Sequence, residues 1–201
     1  MKLAKRMSRL GTETAFEALA AARALEAQGQ SIIHMGIGEP DFDTPNHIRE
    51  SAKSALDNGF THYTPSPGIM DVRVAVANHQ SERQGYEVLP QNIVITPGGK
   101  PVMFFTILAL IEQGDEVIYP NPGFPIYESM ISFAGGTAVP WQLKEENDFS
   151  ADVSTLRQLI SSKTKLIIIN SPNNPCGSVM PPEEIEAVAK IAKEANIFVL
   201  S

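Results

Sequence analysis

From residue 92 onward, short apolar or β-branched stretches alternate with helix-patterned ones, and this alternation constrains the fold more than any other feature of the chain. Residues 92–96 (NIVIT), 116–119, 137–141, 165–170 (KLIIIN) and 196–200 read as buried strands. Between them, residues 100–111, 125–133, 152–160 and 182–195 carry helical periodicity or composition. Parallel strands need long crossovers, usually helical, and strands covered on both faces lose polar alternation. The pattern therefore predicts a mostly parallel sheet with helices on both faces, a three-layer α/β/α sandwich. The front of the chain differs. Residues 14–28 read as a helix that Thr14 can cap, with Glu17 three residues on and Gly29 at its end. An apolar stretch at 31–35 runs into the turn-rich segment 36–45. Further helices fit 46–58 and 69–84, separated by the loop 62–68, which Pro65 and Pro67 hold extended.

Composition removes several function classes. One cysteine, Cys176, builds neither a disulfide framework nor a four-ligand zinc site, and the four histidines lack metal-motif spacing, so no metal is expected. The apolar run at 102–111 is shorter than the roughly 20 residues of a membrane span. Residues 1–9 lack the apolar segment of a signal peptide, so a cytoplasmic, reducing location is the expectation. A net charge of −7 without a basic run argues against nucleic acid as a partner. Ser201 follows what reads as a buried strand, from which the chain is expected to be the front part of a longer protein.

In open α/β sheets ligands gather at the carboxyl ends of the strands, and two turns there carry chemistry. Thr96-Pro97-Gly98-Gly99-Lys100 leads into a helix, where glycines permit close backbone approach and the first N–H groups favour an anion such as phosphate. It is not a Walker A loop, since Val94 stands at the first glycine position and Pro101 at the Ser/Thr position. Nor is Gly36-Ile37-Gly38 a dinucleotide fingerprint, because Asp41 stands where the third glycine belongs. The second turn, Asn170-Ser171-Pro172-Asn173-Asn174-Pro175-Cys176-Gly177, offers neutral amides on a proline-stiffened backbone. Its asparagines suit either a ligand atom or their own backbone. Phe124 and Tyr63 read as either ligand-facing or ordinary aromatics, and Cys176 has no histidine near it in sequence to make it a nucleophile.

Taken together, five collinear motifs resemble the class I/II, fold-type I pyridoxal-phosphate-dependent aminotransferases of the aspartate aminotransferase kind. They are GIGEPDFDTP at 36–45, THYTPSPG at 61–68, ITPGGK at 95–100, PNPGFPIY at 120–127 and NSPNNPCG at 170–177. The resemblance implies pyridoxal 5'-phosphate as cofactor, amino acids and 2-oxo acids as substrates, and a homodimer with composite sites. By position, Gly98, Gly99 and Lys100 would hold the cofactor phosphate through main-chain N–H groups, and Phe124 would stack on the ring. Asn174 would bond the ring oxygen, Tyr63 would reach the phosphate in the partner subunit, and Gly38, with Asn174, would meet the substrate carboxylate. Cys176 replaces the commoner Thr of the NPTG motif. Residues 1–45 correspond to an N-terminal arm and small-domain segment, and 46–201 to an incomplete cofactor-binding large domain. The family's aspartate for the ring nitrogen, its Schiff-base lysine and its phosphate and carboxylate arginines fall beyond Ser201, so no catalytic residue is assigned here and the chain alone is expected to be inactive. Carbon–sulfur lyases and aminocyclopropane-carboxylate synthases share these front-half motifs. A non-catalytic phosphate-binding or dimerisation module is the reading from another class.

Overall fold

The computed structural model describes residues 2–11 and 14–201, leaving aside the side chains of Thr14 and Ala15; the expected cap by Thr14 thus lies outside the described residues. The chain divides into two compact units, residues 15–99 and residues 1–14 with 100–201. The first holds helices α1 (Thr14–Glu26, beginning one residue before the unit), α2 (Asn46–Asp57) and α3 (Met70–Gln84). Within it, Ala77 of α3 is fully buried, and the nearly buried Arg73 donates from Nε to the carbonyls of Pro90 and Ile93 at 3.1 and 3.0 Å. That pair of bonds ties α3 to the segment behind it. Among the described residues, no helix is long and apolar enough to cross a membrane.

The second unit carries the sheet. In chain order it contains α4 (Gly99–Leu110, whose first residue closes the other unit), β1 (Glu116–Asn121), α5 (Ile126–Ala134), β2 (Thr137–Gln142), α6 (Val153–Leu159), β3 (Thr164–Ile168), α7 (Pro182–Ala195) and β4 (Phe198–Leu200). The strands lie in the order β2-β1-β3-β4, and every neighbouring pair is parallel.

Period-two alternation sorts the strand residues between two cores. Val117, Tyr119, Leu166 and Ile168 pack with Ile107 of α4 and with Tyr127 and Ile131 of α5. Ile118, Ile167 and Ile169 point the other way and pack with Leu156 of α6 and with Val188, Ile191 and Ala192 of α7. Val117, Ile118, Leu166 and Ile167 are wholly withdrawn from solvent, each contributing on the order of 2 kcal/mol of apolar burial. The three-layer α/β/α sandwich follows from that two-sided burial.

Handedness explains which helix covers which face. A right-handed crossover stepping one way along a sheet puts its helix on one face, and stepping back puts it on the other. The step from β1 to β2 carries α5, whereas the return past β1 to β3 and on to β4 carries α6 and α7. Local signals end and start these helices where expected. Asp152 Oδ1 accepts from the Ser154 N–H at 3.0 Å to cap α6, and Gly135 stops α5 at φ 99°, a left-handed conformation costly for other residues.

One expected element is absent. Residues 92–96 do not form a strand: Pro90–Asn92 is a 3-10 turn, and the segment after it runs extended with Ile93 at φ −103° and ψ 129°. A strand needs a neighbour to take its N–H and C=O groups. Here the support comes from the Arg73 clamp and from one bond, Ile95 N–H to the Pro67 carbonyl at 3.0 Å. Val94 and Ile95 are accordingly exposed rather than buried.

Candidate functional site

The strand order reverses direction at β1, whose two neighbours are β2 on one side and β3 on the other. In an open parallel sheet this switch point opens a crevice at the carboxyl ends of the two central strands, because the connections leave in opposite directions. The backbone pairing stops early on one side of β1. Pairing of β1 with β3 runs only from Glu116 to Ile118, while pairing with β2 continues to Asn121. Asn121 accepts from Leu143 N–H on the β2 side and Glu116 donates to Lys163 on the β3 side. By that parity Pro120 faces β3. A proline is tolerated inside a central strand only where no donor is required, and Pro120 stands just past the end of the β1–β3 ladder.

The loop after β3 builds one wall of this crevice, and its asparagines divide the labour. Asn173 is 6% exposed, and its Oδ1 accepts from Cys176 N–H at 3.1 Å. Its main chain receives Gly177 N–H at 2.7 Å and donates to Ser178 at 2.8 Å. Asn170 Oδ1 accepts from Asn174 N–H at 2.7 Å. Asn170 and Asn173 therefore spend side-chain oxygens on the turn itself, which leaves Asn174 with its backbone held and its side-chain amide exposed. Ser171 Oγ adds a bond from Met180 N–H at 2.9 Å. Cys176 is half-buried in this turn and carries a free thiol.

The loop after β1 supplies an aromatic ring. Phe124 is half-buried against the core formed by α4, α5 and the sheet. Its carbonyl accepts from Tyr127 N–H at 3.1 Å in the first turn of α5. Gly123 is obligatory for this path: a Cβ there would lie 2.1 Å from the Pro120 carbonyl oxygen. Burial raises the Tyr127 phenol above its ordinary pKa, and burial together with the Glu128 carboxylate, 3.2 Å away, pushes Tyr119 up to about 12. Both stay neutral donors around neutrality.

Lys100 opens the stretch of α4 that packs on the sheet. Because α4 leads through a short turn into β1, the helix runs back along the sheet with its N-terminal end at the carboxyl edge, the edge that carries Phe124 and Asn174. Helices leave their first N–H groups without intrahelical acceptors, and the macrodipole adds partial positive charge there. Gly98, at φ 91°, gives its own N–H to the Thr96 carbonyl at 2.9 Å, and Thr96 Oγ1 donates to the Gly98 carbonyl at 2.7 Å. An added Cβ at Gly98 or Gly99 would meet no atom within 4 Å. Gly38, Tyr63, Gly98 and Gly99 all belong to the 15–99 unit, where Tyr63 is fully exposed and Gly38 likewise borders open space.

Asn170 and Asn173 take the own-backbone role that the sequence leaves open for the asparagines of this turn, whereas nothing in the sequence marks Gly123 or Tyr127 as the residues that hold Phe124. The asparagine spacing was the available signal, since a side-chain oxygen reaching an N–H a few residues ahead is the signature of an asparagine-stabilised turn. Pro120, directly after the stretch 116–119 that reads as a strand, is the other.

The fold thus defines an open parallel α/β domain with a topological switch point between β1 and β3. Within that class, residues 30–201 match the family model described as aminotransferase class I and II, and the chain belongs to this family, whose cofactor is pyridoxal phosphate. It is 39% identical over 199 residues to a probable aspartate/prephenate aminotransferase of Aquifex aeolicus, covering 99% of this chain and 50% of that protein. It is 42% identical over 172 residues to an aspartate aminotransferase of Pyrococcus horikoshii, covering 86% of this chain and 44% of that one. Among solved structures, the aspartate aminotransferase from Thermus thermophilus with maleate superposes with a TM-score of 0.94 at 37% identity, over 99% of this chain and 52% of that chain. The chain spans about half the length of the relatives it matches.

The donor set suits that cofactor. Within the sheet-bearing unit, a ring matches the flat apolar face of a phenyl group such as Phe124, and a ring oxygen matches an exposed, backbone-anchored amide such as Asn174; the glycine turn of the other unit, taken by itself, suits an anion.

Proposed function

We propose that this chain forms the cofactor-holding part of an enzyme that moves an amino group between an amino acid and a 2-oxo acid, with aspartate as amino donor. What supports the reading is that Phe124 and Asn174 stand on the loops that follow the paired strands β1 and β3, and that Asn170 and Asn173 spend their side-chain oxygens on the turn while the Asn174 side chain stays exposed. The names of the relatives supply aspartate as the donor.

In this proposal Gly99 and Lys100 hold the phosphate through main-chain N–H groups, and Gly98 contributes its left-handed turn and open space, its own N–H being engaged by Thr96. Phe124 keeps the ring flat, and Asn174 donates to the ring oxygen. Gly38 and Asn174 meet the substrate carboxylate. Tyr63 reaches the phosphate of the partner subunit in a homodimer that works in the cytoplasm. Pyridoxal phosphate supplies an electron sink for the substrate carbon that gives up its proton. Lys100 belongs to the phosphate turn and is not the base for that proton, so the 201-residue chain does not turn over by itself. The division into a small-domain segment, 1–45, and a large-domain part, 46–201, belongs to the same proposal for the whole protein.

The test is an amino-transfer assay of the protein carrying this chain, with added pyridoxal phosphate, aspartate and a panel of 2-oxo acids. Amino transfer that falls at least tenfold in Asn174→Ala is expected, alongside no turnover by the 201-residue chain. Absence of transfer in the whole protein, or turnover by the chain alone, would overturn the reading.

A further inference from the structure

Phe124 raises a problem that its chemistry alone does not solve. A phenyl ring has no polar atom with which to fix its plane, so its orientation depends entirely on what packs against it. An indole or phenol at the same position could add a hydrogen bond. The ring that touches it is Tyr127, one turn later on α5. The two centroids lie 6.0 Å apart with the planes at 84°, an edge-to-face pair. Such pairs are favoured by the opposed quadrupoles of edge and face, and they resist rotation because a tilted ring loses that match.

Tyr127 is well placed to act as the fixed member. Only 6% of it is exposed, and it sits in the core with Ile107, Ile131 and Leu166. Its own N–H bonds the Phe124 carbonyl, so backbone and ring are tied to the same residue. The Gly123 backbone also closes on it, since a Cβ at Gly123 would lie 3.4 Å from Tyr127 Cδ2. The loop before Phe124, the helix after it and the neighbouring ring are thus coupled through one residue.

We infer that Tyr127 is a positioning residue that sets the plane of Phe124 and thereby the tilt at which the cofactor ring is held. The inference rests on the proposed stacking of that ring on Phe124. The contact uses the ring and not the hydroxyl, so the two parts of Tyr127 separate cleanly by substitution.

The experiment compares Tyr127→Leu, Tyr127→Phe, Phe124→Leu and the Tyr127→Leu/Phe124→Leu double variant in the protein carrying this chain. Each is titrated with pyridoxal phosphate, read by visible absorbance for affinity and by visible circular dichroism for ring orientation. Tyr127→Leu is expected to bind about three- to tenfold more weakly with an altered dichroic band, and Tyr127→Phe to retain both. In the Phe124→Leu background the same Tyr127→Leu change should have no further effect, because the ring it orients is gone. A merely structural loss would instead add independently to Phe124→Leu. Additive losses, an unchanged Tyr127→Leu, or a Tyr127→Phe as impaired as Leu would overturn the inference. If the unsubstituted protein fails to bind the cofactor, the proposed function falls first, and the inference with it.

Discussion

The two ends of the parallel sheet use polar groups in opposite ways. At the amino edge, charges and hydroxyls consume one another. Asp115 Oδ2 accepts from Glu112 N–H at 2.8 Å and pairs with Lys165 Nζ at 3.0 Å. Ser161 Oγ donates to Glu116 Oε2 at 2.6 Å, and its N–H donates to Thr164 Oγ1 at 2.9 Å. At the carboxyl edge, Asn170 and Asn173 are spent on the turn so that Asn174 is not. The same sheet therefore ties up the polar groups of one rim and leaves an exposed amide, Asn174, at the other. The difference teaches that a binding edge is recognisable less by the residues that reach outward than by the residues that relieve them of structural duty.

Substitution of a glycine at each end tests this contrast most strongly. Gly123→Ala at the carboxyl end drives a Cβ to 2.1 Å from a backbone oxygen, and a loss of about 3 kcal/mol is expected in denaturant unfolding. Gly136→Ala at the amino end brings its Cβ to 2.6 Å from the Ile111 Cγ2 methyl, a longer approach and to a side chain rather than a backbone oxygen, so the loss should be smaller. Equal losses would show that the carboxyl loop yields more than its geometry suggests.

Next in size is Asn173→Leu, which strands the Cys176 N–H in a half-buried turn. About 2 kcal/mol of stability should be lost, with faster amide exchange at Cys176 and Gly177. Asn174→Ala, one residue on, sharpens the contrast. Its unfolding midpoint should stay within about 0.5 kcal/mol of the parent, whereas affinity for pyridoxal phosphate in the protein carrying the chain should fall about tenfold. If Asn174→Ala unfolds as easily as Asn173→Leu, the division of labour is wrong.

The smallest effect is expected at the amino edge and is visible through pH. The Glu112 N–H first and Lys165 second hold the Asp115 carboxyl below its ordinary value. A depressed carboxylate stabilises the fold above the unfolded pKa, near 4, and that contribution is lost as pH falls through the lower folded value. Glu194, lowered by Arg157, acts with the same sign. Asp115→Asn should therefore flatten part of the acid decline in melting temperature below about pH 4 and leave cofactor affinity unchanged.

Much of this architecture was legible in the residues themselves. KLIIIN and EVIY have no polar alternation, which is what burial against helices on both faces demands, and the segment at 182–195 opens on a proline and closes before a left-handed Asn196 at φ 55°. NIVIT misled for an instructive reason. Its side chains suit a strand, but strand formation is a property of pairs, and no partner for it stands among the described residues. The asparagine turn was half legible: its polarity pointed to the site, whereas the choice of Asn174 over Asn173 depends on which amide the fold buries. Tyr127 was invisible as a partner of Phe124 because edge-to-face geometry depends on how α5 seats against β1, not on spacing alone.

Pro140 sits opposite Tyr119 in β2, the outermost strand, with its ring where an outward N–H would otherwise be. Since Val139 and Trp141 face β1 by the parity of the ladder, the outward row of donors is interrupted at its midpoint. An incoming strand on that flank would lose its central hydrogen bond, so lateral growth of the sheet is one-sided. Any further strand, from this polypeptide or another, is steered to the flank beyond β4.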